Sequence, residues 1–271
     1  MKSMASIHTV RPFVGMLAVL VLLSGCATSG VNQGDLNLVS LEEEWQMGQQ
    51  LEAEIARQMR LVNDPTALRY INEIGQRIVA QTEMANLPWE FHIVADDAIN
   101  AFNIPGGHVY VNTGLIQAAS NVAELAGVMA HEIAHGVARH GTERLSKQYG
   151  LSIAAGALLG SDPGILQQIV AQVAATGAIA KFSRDDERES DRLGVDYMYK
   201  SGYDPMGMAS MFEKLLEQGR RSPGAIEQFF STHPLTDERI RNARQQASRY
   251  PNRSGLVTSD GSLAQIQRRV R

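Results

Sequence analysis

His131-Glu132-Ile133-Ala134-His135 is the stretch on which the reading of this chain turns. It sits inside Asn121 to Arg139, where Val122, Leu125, Ala126, Met129, Ile133 and Val137 recur at helical spacing and mark an apolar face. Four residues along a helix is one turn plus about 40°, so both imidazoles leave the same face and can share one metal ion. Glu132 is turned about 100° from His131, close enough to reach a water without being a ligand itself. This is the H-E-x-x-H arrangement of zinc hydrolysis. It predicts one Zn2+ per chain, with His131 and His135 as ligands and Glu132 as general base. The competing reading is a surface helix with two unconnected histidines. The apolar flanks argue against it, because charge in such a helix needs a partner.

A hydrolytic zinc site takes three protein ligands and keeps one position open. The third could be another histidine or a downstream carboxylate. The window Ser183 to Asp191 is the richest in carboxylates. On a helix, Glu187, Asp191, Gly194, Val195 and Met198 form one stripe that turns apolar and so faces inward. Glu189 lies roughly 200° from Glu187 and points away. Glu187 is therefore the expected ligand. Asp191, one turn later, is placed to orient a ligating histidine through its ring N–H. Taken alone, the window would read as a solvated, salt-bridged helix face.

Working outward, Leu41 to Met59 has helical spacing, and Asp64-Pro65 opens a second helix with an N-cap and a first-turn proline. From Pro88 the texture changes. Trp89 to Val94 alternates like a strand, Ala98 to Ile104 is a second candidate, Pro105-Gly106-Gly107 is a turn, and His108 to Val111 is a third strand. Residues 151–182 are rich in Ala, Gly and aliphatic side chains but broken by Ser161-Asp162-Pro163-Gly164, so neither half can span a bilayer. They read as buried helical packing, with a mobile cover or a membrane-touching hairpin as the alternative. Helices follow near 184–200, 205–218 and 236–248, and the tail from Pro251 is polar and expected to be loose. The fold class is thus α+β, mainly helical, with a small sheet beside the helix that carries the motif.

The chain has 271 residues, 44% hydrophobic and 20% charged, which marks it as globular rather than disordered. Its net charge of -4 argues against a nucleic-acid partner. Lys2 and Arg11 precede an apolar run, Phe13 to Leu23, that is about half the roughly 20 residues a spanning helix needs and fits the core of a secretory signal. Cys26 is the only cysteine, so no internal disulfide can form. Leu23-Ser24-Gly25-Cys26 resembles the lipobox of bacterial lipoproteins, which implies cleavage before Cys26 and its acylation. Ala27 follows, with no acidic residue, which by the Gram-negative sorting rule favours the periplasmic side of the outer membrane. The expected organisation is a signal peptide over 1–25, an anchor and Ser/Gly-rich tether over 26–40, a catalytic domain over 41–250 and a tail over 251–271.

Four stretches together resemble the HtpX-type and Oma-type zinc metallopeptidases, the family of the CaaX prenyl protease. They are Asn100 to Gly107, His131 to His135, Ser183-Arg184 through Glu187 to Asp191, and Thr232-His233-Pro234-Leu235. The resemblance implies a gluzincin-like fold, and it places the third zinc ligand in Glu187-x-x-x-Asp191. His233, just before Pro234, reads either as a structural turn histidine or as a side chain near the metal, where the resemblance implies that it stabilises the oxyanion or occupies the open position in a latent state. Arg239 would help neutralise the oxyanion, or else form a surface salt bridge. His108 and His140 read as structural or solvent-facing, and nothing marks His92, in the first expected strand, as a ligand. Some periplasmic relatives add a C-terminal helical repeat domain. None is expected here, nor any chaperone role that depends on one. An extended substrate is expected to pair with a strand near Asn103 or over His108 to Val111, with Asn103, His108 and Tyr110 as binding residues. That predicts an endopeptidase acting on unfolded or misassembled envelope proteins. The rivals are a zinc-stabilised chaperone or binding lipoprotein, which has no use for Glu132, and a zinc hydrolase of cell-wall amides.

Overall fold

The computed structural model describes residues 31, 37–150, 163–176, 181–251 and 254–271. The signal segment, Cys26 and most of the tether fall outside the described residues. Two helices open the domain. Helix α1 (Leu41–Gln58) starts at a capping box, where Ser40 accepts from the Glu43 N–H and the Glu43 side chain accepts from the Ser40 N–H. Helix α2 (Pro65–Val79) starts as expected, with Asp64 accepting from Thr66 and Ala67 and Pro65 in the first turn. Its Ile71, Ile74 and Ile78 are buried in the main core.

The sheet has three strands, β1 (Glu90–Val94), β2 (Ala101–Ile104) and β3 (His108–Asn112), in the order β1-β3-β2. β3 runs parallel to β1 and antiparallel to β2. Its two faces have different neighbours. Phe91, Ile93, Val109 and Val111 belong to the main core with α2 and the motif helix, whereas Phe102, Ile104 and Tyr110 belong to a smaller core with Met47, Leu51 and Ile55 of α1. The second strand is shorter than the sequence suggested, because Ala98 N–H is held by the Asp96 side chain in a turn.

Short α3 (Thr113–Ala118) leads to α4 (Val122–Val137), the motif helix, whose N-cap Asn121 accepts from Glu124. Every residue of α4 except Gly136 is buried, so it runs through the middle of the molecule. Next come α5 (His140–Tyr149), α6 (Pro163–Thr176), α7 (Arg184–Lys200) and α8 (Met206–Arg221). A 3-10 turn (Pro223–Ile226) then leads to α9 (Glu227–Thr232), α10 (Asp237–Ser248) and α11 (Leu263–Arg269). The crossing of α4 and α8 is a backbone contact. A Cβ on Gly207 would lie 2.4 Å from the Ala123 carbonyl oxygen, and one on Gly127 would lie 2.7 Å from the Met208 Cα.

Three expectations need correction. The tail is not loose: α11 buries Leu263 and Ile266 in the main core, and Val257 forms a bridge with Tyr203. The end of the tether is docked: Val39 is buried, Asn37 donates to Thr142, and the Leu38 N–H donates to Ser146. The pairing surface expected over His108 to Val111 does not exist either, because β3 is the central strand and is bonded on both sides. His108 and Tyr110 also lie on the face turned away from the motif helix, where Tyr110 stacks between His92 and Phe102. In the apolar segment 151–182, α6 agrees with buried packing through Ile169, Val170 and Val173, and residues 151–162 and 177–180 lie outside the described ones. No helix among the described residues is long and apolar enough to cross a membrane.

Candidate active site

Helix α4 presents His131 and His135 on one face, and their Nε2 atoms lie 3.1 Å apart. Helix α7, packed alongside, adds Glu187, with one oxygen 3.6 Å from His131 Nε2 and the other 3.3 Å from His135 Nε2. The link between α9 and α10 adds His233, whose Nδ1 is 2.8 Å from Glu187 Oε1 and 3.3 Å from His131 Nε2. Each of the four offers a ligand atom within 4.8 Å of all the others, and all four residues are buried. Two imidazoles and a carboxylate converging on one buried point suit a divalent transition metal. His233 is close enough to be a fourth donor.

Glu132 meets the same point from the side. Both its carboxylate oxygens are buried without a hydrogen-bond partner, and His233 Nε2 is in the same condition 3.5 Å from Glu132 Oε1. An unpaired buried carboxylate costs at least about 1–3 kcal/mol of solvation unless something else occupies its pocket. That is how a site built to receive a metal and a water looks from the protein side. Burial pushes the Glu132 carboxyl up from its ordinary value, in the direction a proton acceptor needs. The Glu132 backbone carbonyl accepts from the Asn103 side chain at 2.8 Å, which ties β2 to the motif helix.

The supporting contacts are as defined as the converging groups. Asp191 Oδ1 lies 3.0 Å from His131 Nδ1, so the ring's other nitrogen points at the centre. Burial alone would lower the His131 pKa, but hydrogen bonds to Asp191 and Glu187 outweigh it and lift it to about 9. Burial also works against ionised Glu187, and His233 and Arg239 outweigh it, holding this carboxyl well below the usual range. His135 is pushed well down by burial and is neutral at pH 7. Arg239 fits neither expectation. It is buried rather than on the surface. Its guanidinium donates to both Asp191 oxygens at 2.7 and 2.8 Å and to the Pro234 carbonyl at 3.1 Å, and it forms an ion pair with Glu187. With its donors used this way, it locks the carboxylates from behind instead of facing a reacting oxygen.

Two neighbours went unmarked in the sequence. His140 is buried, with Nδ1 3.0 Å from His135 Nδ1 and Nε2 3.4 Å from Glu189. Phe182 stacks on the His135 ring at a centroid distance of 4.0 Å. The only available signal was that His140 follows His135 by five residues. The reversal that brings it back depends on Arg139 in the left-handed region at φ 59°. That conformation is held by contacts of Arg139 with Glu44 and the Val39 carbonyl.

A helix bearing His-Glu-x-x-His, completed by a glutamate from the neighbouring helix and set beside a small sheet, is the arrangement of a metallopeptidase. The family model described as Peptidase family M48 matches residues 65–247, and the chain belongs to that family. It is similar to the Beta-barrel assembly-enhancing protease of Escherichia coli, 34% identical over 219 residues that make up 78% of this chain and 45% of that protein. The protein of that name from Yersinia pestis is 32% identical over 238 residues, 84% of this chain and 49% of its own length. The Mitochondrial metalloendopeptidase OMA1 of Schizosaccharomyces pombe is 32% identical over 218 residues, 79% of this chain and 64% of its own length. The chain spans about half the length of the bacterial relatives it matches.

Proposed function

We propose that this protein is a zinc-dependent endopeptidase that cleaves unfolded or misassembled envelope proteins, anchored by a lipid on Cys26 at the periplasmic side of the outer membrane. The observation that carries the chemistry is the convergence of His131, His135 and Glu187 with the unpartnered Glu132 carboxylate at one buried point. The substrate class rests on the relatives, whose names describe proteases of barrel assembly and of mitochondria. The anchor rests on the lipobox-like Leu23 to Cys26.

Zinc held by His131, His135 and Glu187 would supply Lewis acidity, lowering the pKa of a water to about 7 and polarising the scissile carbonyl. Glu132 is placed to take a proton from an attacking water and to hand it to the leaving amine. Asp191 keeps the His131 ring oriented, and Arg239 keeps Asp191 and Glu187 ionised and in place. Asn103 stands where β2, at the edge of the sheet, approaches Glu132. An extended substrate would pair there, displacing what now buries that edge. Such pairing reads extended shape, which a folded protein does not offer.

His233 carries a second assignment. Its place among the candidate ligands favours a latch that competes for the open metal position over an oxyanion donor. His233→Ala then raises turnover, whereas an oxyanion donor's loss lowers it. The main test compares the full chain with Glu132→Gln for zinc per chain and for cleavage of a denatured protein against a compact one. Both forms should hold zinc, and only the unsubstituted chain should cleave, with the denatured protein cut faster. Equal zinc and equal cleavage would sink Glu132 as the base. Zinc in both forms with cleavage in neither, even after His233→Ala, would favour the zinc-stabilised binding lipoprotein.

A further inference from the structure

A second group of metal-ligating side chains sits on the sheet face turned away from the motif helix. Glu90 and His92 are two residues apart on β1, so they share a face. In the parallel register, Glu90 lies opposite His108 and His92 opposite Tyr110, which brings His108 to the same face. Three donor atoms form a compact triangle: His92 Nε2 to His108 Nδ1 is 3.4 Å, His92 Nε2 to Glu90 Oε2 is 3.9 Å, and His108 Nδ1 to Glu90 Oε2 is 4.0 Å. Ligands about 2.0–2.1 Å from a tetrahedral zinc stand roughly 3.3–3.4 Å apart. The two nitrogens already meet that separation. Glu90, whose side chain is 58% exposed, can close the remaining half ångström or so by a torsion of its side chain.

The surroundings have prepared the two imidazoles. His92 is packed between His108 at 5.7 Å and Tyr110 at 4.6 Å, both nearly parallel to it, so its ring has little freedom to turn. His108 is buried. Burial pulls both pKa values down to about 4, so both rings are neutral at pH 7 with lone pairs to give. A simple N–H···N bond would account for one side of the triangle, at the long end of the usual range. It does not account for the carboxylate completing the other two.

From this geometry we infer a second metal site, in which Glu90, His92 and His108 bind Zn2+ with the open position facing solvent. Two imidazole nitrogens and one carboxylate suit zinc and its neighbours Ni2+ and Cu2+, not Ca2+ or Mg2+. The site shares no ligand with the centre on α4 and α7. It clips β1 to β3 across the parallel pair, so occupancy stabilises the sheet by binding linkage.

The test strips the full-length chain in detergent with a chelator and re-equilibrates it at a buffered free zinc concentration. Zinc per chain is then read by atomic emission, and the unfolding temperature is followed through a zinc titration. The unsubstituted chain should take two equivalents, with a further rise in unfolding temperature on filling the second. Glu90→Gln, which changes an exposed side chain and leaves the core intact, should keep one equivalent and lose that second rise. His92→Asn should do the same. Losing a ligand should cost the second equivalent at least the roughly 10–100-fold in affinity that losing a ligand's supporting partner costs. A chain that takes a single equivalent, or variants that still take two, overturns the site. The first equivalent and its link to cleavage are read separately, so this outcome leaves the peptidase assignment standing.

Discussion

Asp191 Oδ1 lies 3.0 Å from His131 Nδ1 while Arg239 holds both its oxygens, so one carboxylate faces the ring and is itself fixed. Asp191→Asn keeps the volume but removes the charge, and it can turn an amide N–H toward His131. The ring then loses its acceptor and its preferred orientation, and zinc affinity, measured by chelator competition, should fall by about 10–100-fold. An unchanged affinity would reduce Asp191 to a packing residue. Helical spacing exposed this set in the sequence: His131 to His135 and Glu187 to Asp191 are each four apart, and four apart means one face. Arg239 could not be placed that way. Its position comes from the His233-Pro234 link, and nothing local says whether its guanidinium faces the reacting carbonyl or the carboxylates behind it. His140 depended on the left-handed turn at Arg139, which is set by Glu44, far away in the sequence.

At the scale of the element, α4 is held at its start by a knot of contacts. Glu124 accepts from the Ser120 N–H at 2.7 Å, from the Ser210 hydroxyl at 2.8 Å and from the Lys214 ammonium, joining α4 to α8. Burial pushes the Glu124 carboxyl up, but the Lys214 and Ser120 contacts outweigh it and hold it below its ordinary 4.5. A depressed folded pKa gives stability that is complete above the unfolded value and is lost as pH falls through the folded one. Glu124→Gln should therefore destabilise the protein at pH 7 by about 1–3 kcal/mol, the worth of hydrogen bonds to a charged group. The gap in unfolding temperature should hold down to about pH 4.5 and narrow below it. A gap independent of pH would mean that shape, not charge, matters there. The long helices were legible because apolar residues repeat along them. The order of strands was not: alternation marks a strand but not its neighbours, and a parallel β1–β3 pair with β2 folded back outside it follows from the crossover, not from any local pattern.

On the scale of the molecule, the last 21 residues act as a strap. Val257 N–H donates to the Gly202 carbonyl at 2.8 Å, and the Thr258 carbonyl accepts from Ala123 N–H at 3.2 Å, at the first turn of α4. The Gln267 amide donates to the carbonyls of Ile116 and Ala119, each at 2.9 Å, closing the end of α3. Leu263, Ile266 and Val270 bury apolar side chains in the core that also holds α4. The pattern escaped the sequence reading because three apolar residues in a short polar run give too little periodicity to distinguish a docked helix from a loop. Ending the chain after Tyr250 tests the strap. Tyr250 itself stays stacked on Tyr199 at 4.0 Å, so the cut leaves α10 its own anchor. Burying a Leu, Ile or Val side chain contributes about 1.5–3 kcal/mol, so losing three removes roughly 5–9 kcal/mol, a large share of a domain's ~5–15 kcal/mol. At about 2–4 °C per kcal/mol for a chain of this size, the unfolding temperature should drop by roughly 10 °C or more. A loose tail would cost nothing on removal, so a truncated chain that melts within a degree or two of the full one would return the segment to a disordered appendage. If the strap acts through the start of α4, the truncated protein should also hold zinc less tightly, because the helix that carries His131 and His135 would lose the contact at Ala123 that fixes its first turn.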